Sequence, residues 1–141
     1  MSMTVTLPKV ENNAPPVLDR DVVESLRADL GAERLGDIIA TACVSLTELG
    51  QRLEQAWQVG DMNGIGRSAH MLKSSASALG CAALRLHALG LERATKAGNI
   101  TKMEGLMKGA PQVFQRTLAA LSCVPLNRMP QLGCRPNSPG E

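Results

Sequence analysis

Large rings are almost missing from this 141-residue chain: Trp57 and Phe114 are its only members of the Phe, Trp and Tyr set. A core so short of aromatics must be filled with Leu, Ile, Val, Met and Ala. That suits helix-on-helix packing better than a β-sandwich, whose strands favour aromatic and β-branched residues. Charge of one sign is also lacking, since a formal net charge of +2 is too slight to argue for a nucleic-acid or acidic-lipid partner. No stretch approaches the roughly 18 uninterrupted apolar residues of a membrane span. The N-terminus has no basic region followed by an apolar run, so no signal peptide is expected. Cys43, Cys81, Cys123 and Cys134 include no Cys-x-x-Cys pair, and free thiols in a reducing cytoplasm are the simplest reading. A metal site needs convergent ligands; His70, His87, Cys43 and Cys81 are the candidates, and none forms a ligand-spaced pair. The glycine-rich run Gly60 to Gly66 lacks both a terminal Gly-Lys-Ser/Thr and a preceding strand, so it reads as a loose helix start and not as a phosphate loop. These absences leave a small soluble cytoplasmic protein with no metal, no ATP site and no kinase activity of its own.

What is present is helical period. Residues 1–18 hold Pro8, Asn12, Asn13, Pro15 and Pro16 without such a period and read as a disordered N-terminal tail. Asp19 is a plausible N-cap for a short helix carrying Val22, Val23, Leu26 and Leu30, with Gly31 to end it. From about 32 to 59 the set Leu35, Ile38/Ile39, Ala42, Leu46, Leu49, Leu53 and Ala56/Trp57 keeps three-four spacing up to Gly60. Asp61 caps the next helix, which runs to Gly80. The following one, about 81–97, presents Leu84, Ala88, Leu91 and Ala94 and closes at Gly98-Asn99, with Gly90 costing it about 1 kcal/mol relative to Ala. The last, about 99–122, uses Ile100, Met103, Leu106/Met107, Ala110, Val113/Phe114, Thr117/Leu118 and Leu121; Pro111 removes a donor there and should kink or split it. Residues 123–141 read as a second disordered tail. The fold expected is all-α: an antiparallel up-down four-helix bundle over residues 19–122, with a short extra N-terminal helix as a lid.

The chemistry is concentrated in His70-Met71-Leu72-Lys73-Ser74-Ser75-Ala76-Ser77-Ala78-Leu79-Gly80. Residues three and four apart share a helix face, so Met62, Ile65, Ala69, Leu72, Ala76 and Leu79 form one apolar stripe. The neighbouring stripe reads Gly66, His70, Lys73 and Ser77, with Ser74 one turn beyond His70. His70 thus sits at the edge of the buried seam, surrounded by small side chains that let another molecule approach. An unperturbed imidazole is largely deprotonated and nucleophilic at neutral pH. Arg67 and Lys73, one turn before and after, can give charge-assisted hydrogen bonds to a phosphate placed on the ring. Ser74, Ser75 and Ser77 have no Asp/His relay and no Gly-x-Ser-x-Gly elbow, so they are read as steric permission. Glu92 is expected to make a surface or helix-cap contact, and His87 to be a packing or surface histidine.

At His70, Leu72, Lys73, Ser74, Ser75, Leu79, Gly80, Leu84, Leu91 and Glu92 the sequence resembles the histidine-containing phosphotransfer (HPt) domain family, with no gap needed. One position departs from the pattern: Ser74 stands where the family usually has Gly. The resemblance implies a phosphocarrier and not an enzyme. His70 would accept a phosphoryl group from a receiver-domain aspartate and pass it to another receiver. Lys73 would assist it, and Gly66, Arg67, Ser74 and Ser77 would form the partner- and phosphate-binding face. It implies no cofactor on this chain, the Mg²⁺ belonging to the partner receiver domain. The expected partners are response-regulator receiver domains, of a hybrid histidine kinase and of a downstream regulator. Two other readings compete: a helical module that binds receivers without carrying phosphate, and a metal- or redox-sensing bundle using the free cysteines.

Overall fold

A computed structural model describes residues 16–124. Five helices follow one another: α1 (Arg20–Leu30), α2 (Ala32–Val59), α3 (Met62–Leu79), α4 (Ala82–Ala97) and α5 (Ile100–Cys123). Local chemistry sets their ends. Asp19 Oδ1 accepts from the backbone N–H of Asp21 at 3.0 Å and of Val22 at 3.4 Å. Asp61 Oδ1 accepts from Gly64 N–H at 3.0 Å, and Asn99 Oδ1 from Lys102 N–H at 3.1 Å. Each cap satisfies a donor that the first helical turn leaves without a partner. The joints Gly60-Asp61, Gly80-Cys81 and Gly98-Asn99 are only two residues long, so each forces the chain straight back along the helix it has left. At Gly80 the demand for glycine is double. Its φ is +74°, and a Cβ there would stand 2.9 Å from Val22 Cβ.

Helices α2, α3, α4 and α5 pack in a ring, each against its sequence neighbours, with α5 closing on α2. This is an antiparallel four-helix bundle. Its axis is filled by Leu35, Leu46, Ile65, Leu72, Leu84, Leu91, Met103 and Leu121, all fully buried. At about 25 cal/mol per Å² of apolar surface removed from water, such side chains supply most of what offsets the chain entropy. Helix α1 lies against α2 and seals one end of the bundle. Asp19 N–H bonds to the Gly80 carbonyl at 2.6 Å, and Arg27 Nη2 bonds to the Val124 carbonyl at 3.3 Å.

Four expectations need correction. Pro111 neither splits nor ends α5; it is exposed, while Met107 and Ala110 before it and Thr117 and Leu121 after it are buried, so packing on both sides holds the helix through the missing donor. Leu18, Cys123 and Val124, read as tail, are buried at the bundle's edge; the remainder of both tails lies outside the described residues. Cys43 and Cys81 are free, but Cys123 is disulfide-bonded. Whether two sulfurs meet depends on a Cα approach that only the fold provides, and spacing along the chain does not reveal it. Ile100, placed on the core face of the last helix, is exposed because it falls in the first turn, beyond the end of the packed seam. No helix among the described residues is long and apolar enough to cross a membrane.

Candidate functional site

The Gly80-Cys81 reversal lays α4 antiparallel to α3, which brings His70 level with Glu92 and Gly66 level with Thr95. Glu92 follows Ala88 by four residues, so it lies on the buried face of α4 with Leu84, Ala88 and Leu91. Its carboxylate is shared. Oε2 stands 2.8 Å from His70 Nδ1, and Oε1 accepts from Lys73 Nζ at 2.7 Å. Lys73 follows His70 by three residues, and this spacing lets both side chains reach one carboxylate. Side-chain exposure grades outward, from 9% for Glu92 through 28% for Lys73 to 59% for His70.

The electrostatics follow from this geometry. The Lys73 hydrogen bond, then the His70 hydrogen bond, lower the Glu92 pKa from its ordinary 4.5 to about 2 against the opposing effect of desolvation. Glu92 is therefore ionised at neutral pH and can only accept. The hydrogen between it and Nδ1 must be carried by the ring. In the neutral imidazole this leaves Nε2 as the nitrogen with the free lone pair, on a ring that is mostly exposed. A buried carboxylate thus sets the tautomer and orientation of an accessible nucleophile.

A cleft runs beside the ring, lined among others by Gly66, Arg67, His70, Met71, Thr95 and Lys96. Its floor stays low because of small groups. A Cβ on Gly66 would lie 3.7 Å from Thr95 Cγ2, and the Thr95 hydroxyl is turned back onto the Leu91 carbonyl at 2.7 Å. Arg67 is exposed on the cleft wall and forms no ion pair among the described residues. Ser74 and Ser77 are exposed on α3 beyond the ring and line neither that wall nor the carboxylate.

The structure therefore joins His70 and Lys73, as the spacing suggests, but through Glu92, for which the sequence suggests only a surface or cap contact. Glu92 makes no surface or cap contact; it is buried and pins both of them. The signal was available, because the α4 apolar stripe extends through position 92 by the same four-residue step. His87 is a packing residue: its Nε2–H donates to the Leu106 carbonyl at 2.7 Å and ties α4 to α5. Among the described residues no three His, Cys, Asp or Glu side chains converge as a metal site.

Comparison with known proteins places this geometry in context. The family model described as the Hpt domain matches residues 37–122, from the first turns of α2 to the end of α5. No curated protein sequence matches. Among solved structures, the histidine-containing phosphotransfer protein B (HptB) from Pseudomonas aeruginosa PAO1 is similar with a TM-score of 0.73. The match covers 80% of this chain and 97% of that one at 22% identity, a level at which the likeness speaks for the fold.

Proposed function

The chain belongs to the Hpt domain family, and from that premise we propose that it is a phosphorelay intermediate whose phospho-accepting residue is His70. The observation that carries this reading is the Nδ1–H bond to ionised Glu92, which leaves the Nε2 lone pair on the exposed side of the chemistry.

In the proposed step, Nε2 attacks the phosphorus of an acyl phosphate on a receiver aspartate. A nitrogen–phosphorus bond forms, the acyl oxygen–phosphorus bond breaks, and the aspartate leaves as a carboxylate. The ring becomes cationic, with its proton retained on Nδ1 against Glu92. Reversal toward a second receiver's aspartate completes the relay. Such transfers depend on in-line positioning and charge stabilisation more than on covalent assistance, so the chain needs few groups. Lys73 holds Glu92 in place with one N–H and has others to turn toward the phosphoryl group. Arg67 adds a second positive charge from the cleft wall, and the small side chains of Gly66, Ser74 and Ser77 admit the partner. The Mg²⁺ that family resemblance implies would be the receiver's. The two partners are the receiver domains of a hybrid kinase and of a downstream regulator, met in the cytoplasm.

Incubation with a phosphorylated receiver domain should transfer phosphate that acid removes and alkali spares, and His70→Gln should carry none. Label retained by that variant would move the acceptor elsewhere. Binding to receivers without any transfer would favour a module that carries no phosphate.

A further inference from the structure

A phosphoryl group on nitrogen brings about 1.5 to 2 negative charges at neutral pH, as on a phosphate monoester. The cation the motif supplies for it, Lys73, is already engaged. Its Nζ is 2.7 Å from Glu92 Oε1, and that carboxylate is nearly buried. Drawing Lys73 fully onto the phosphoryl group would strip Glu92 of its closest partner, and an unpaired buried carboxylate is costly. Charge for the incoming group must therefore come partly from elsewhere in the cleft. Besides Arg67, its walls carry one more cation, Lys96. Lys96 follows Glu92 by four residues, one turn along α4, so it stands on the same side of that helix as the carboxylate. It is exposed and forms no ion pair among the described residues. Its place in the last turn of α4 also suits the helix dipole, but the dipole does not require it to line the His70 cleft.

Resting on the relay reading above, we propose that Lys96 contacts the phosphoryl group during transfer, facing Arg67 across the cleft, while Lys73 mainly keeps Glu92 and hence His70 in position. The bond changes are those of the relay step itself; Lys96 donates hydrogen bonds to the phosphoryl oxygens and exchanges no proton.

The test uses two phosphoryl donors on the full chain: a phosphorylated receiver domain, and phosphoramidate, which gives up its phosphoryl group with release of ammonia. With Lys96→Gln the single-turnover rate should fall about tenfold with both donors, the worth of one charge-assisted hydrogen bond. The melting temperature should fall by no more than the loss of one exposed helix-end charge allows, and Lys96→Arg should restore most of the rate. Slowing with the receiver alone would make Lys96 a partner contact and overturn the proposal, as would unchanged rates with both donors. A larger fall in melting temperature with rates in step would reduce Lys96 to a helix-end residue. Absence of label on the wild-type chain from either donor would instead bring down the relay reading, and this inference with it.

Discussion

Where α3 meets α4, Leu72, Leu84 and Leu91 are sealed from solvent, Thr95 lies against Gly66, and a carboxylate is held between two donors at 2.7 and 2.8 Å. Where α5 closes on α2, Phe114 rests over Gly50 and is only half-buried, as is Leu118, beside a groove of about 480 Å³; the cleft between α3 and α4 is as large, at about 470 Å³, but is lined by His70, Glu92 and two cations. Phe114 and Glu92 apart, both seams are built from aliphatic side chains at three-four spacing, so their apolar composition does not separate them. What separates them is the demand on precision. A buried charge keeps its hydrogen bonds only if the two helices hold one register and one distance, whereas apolar volume tolerates slack. The proposed chemistry sits on the seam that holds the shared carboxylate.

The sharpest way to break this contrast is to cut the same side chain on both seams. Leu72→Ala should cost about 2–5 kcal/mol in chemical denaturation, and Leu118→Ala, half-buried beside the groove, clearly less. Equal losses would mean that the seams are equally packed.

Acid should separate them next. Glu92 titrates at about 2 when folded against an ordinary 4.5. Because the folded value is the depressed one, its contribution to stability is complete above about 4.5 and is lost as the pH falls toward 2. Denaturation followed across that window should show the decline, and Glu92→Gln should flatten it. A decline unaltered by that variant would place the acid sensitivity elsewhere.

The smallest effect is expected on the loose seam. A Cβ on Gly50 would meet Phe114 Cζ at 3.1 Å, but the ring borders open space and can swing aside. The gain in helix propensity is at most about 1 kcal/mol, so Gly50→Ala should leave the melting temperature level or slightly raised. A marked drop would show that Phe114 is held as firmly as the site.

Much of the architecture was legible in advance, because amphipathic stripes and capping residues are local properties. The stripe of α2 and the caps at Asp19 and Asp61 behave as their spacing suggests; Asn99, which the sequence suggests only as the close of α4, also caps α5. Pro111 does not split α5, because the apolar period that runs through it is packed on either side. Within the site, His70 and Lys73 could be paired from their spacing on one helix. Glu92 could not be assigned its role in the same way, since its partners are 19 and 22 residues away and meet it only after the chain has turned at Gly80. That Lys96 lines the same cleft is hidden for the same reason: a lysine near a helix end is ordinary until the facing wall is known.

The position of His70 on open helix surface has a kinetic consequence. Nothing among the described residues covers the ring, so none of them has to move before a partner can reach it. Hand-over should then proceed at the frequency of well-oriented collisions. It would respond to ionic strength and to the charge of the incoming surface, and not to the slower timescale of a hinge or a closing loop.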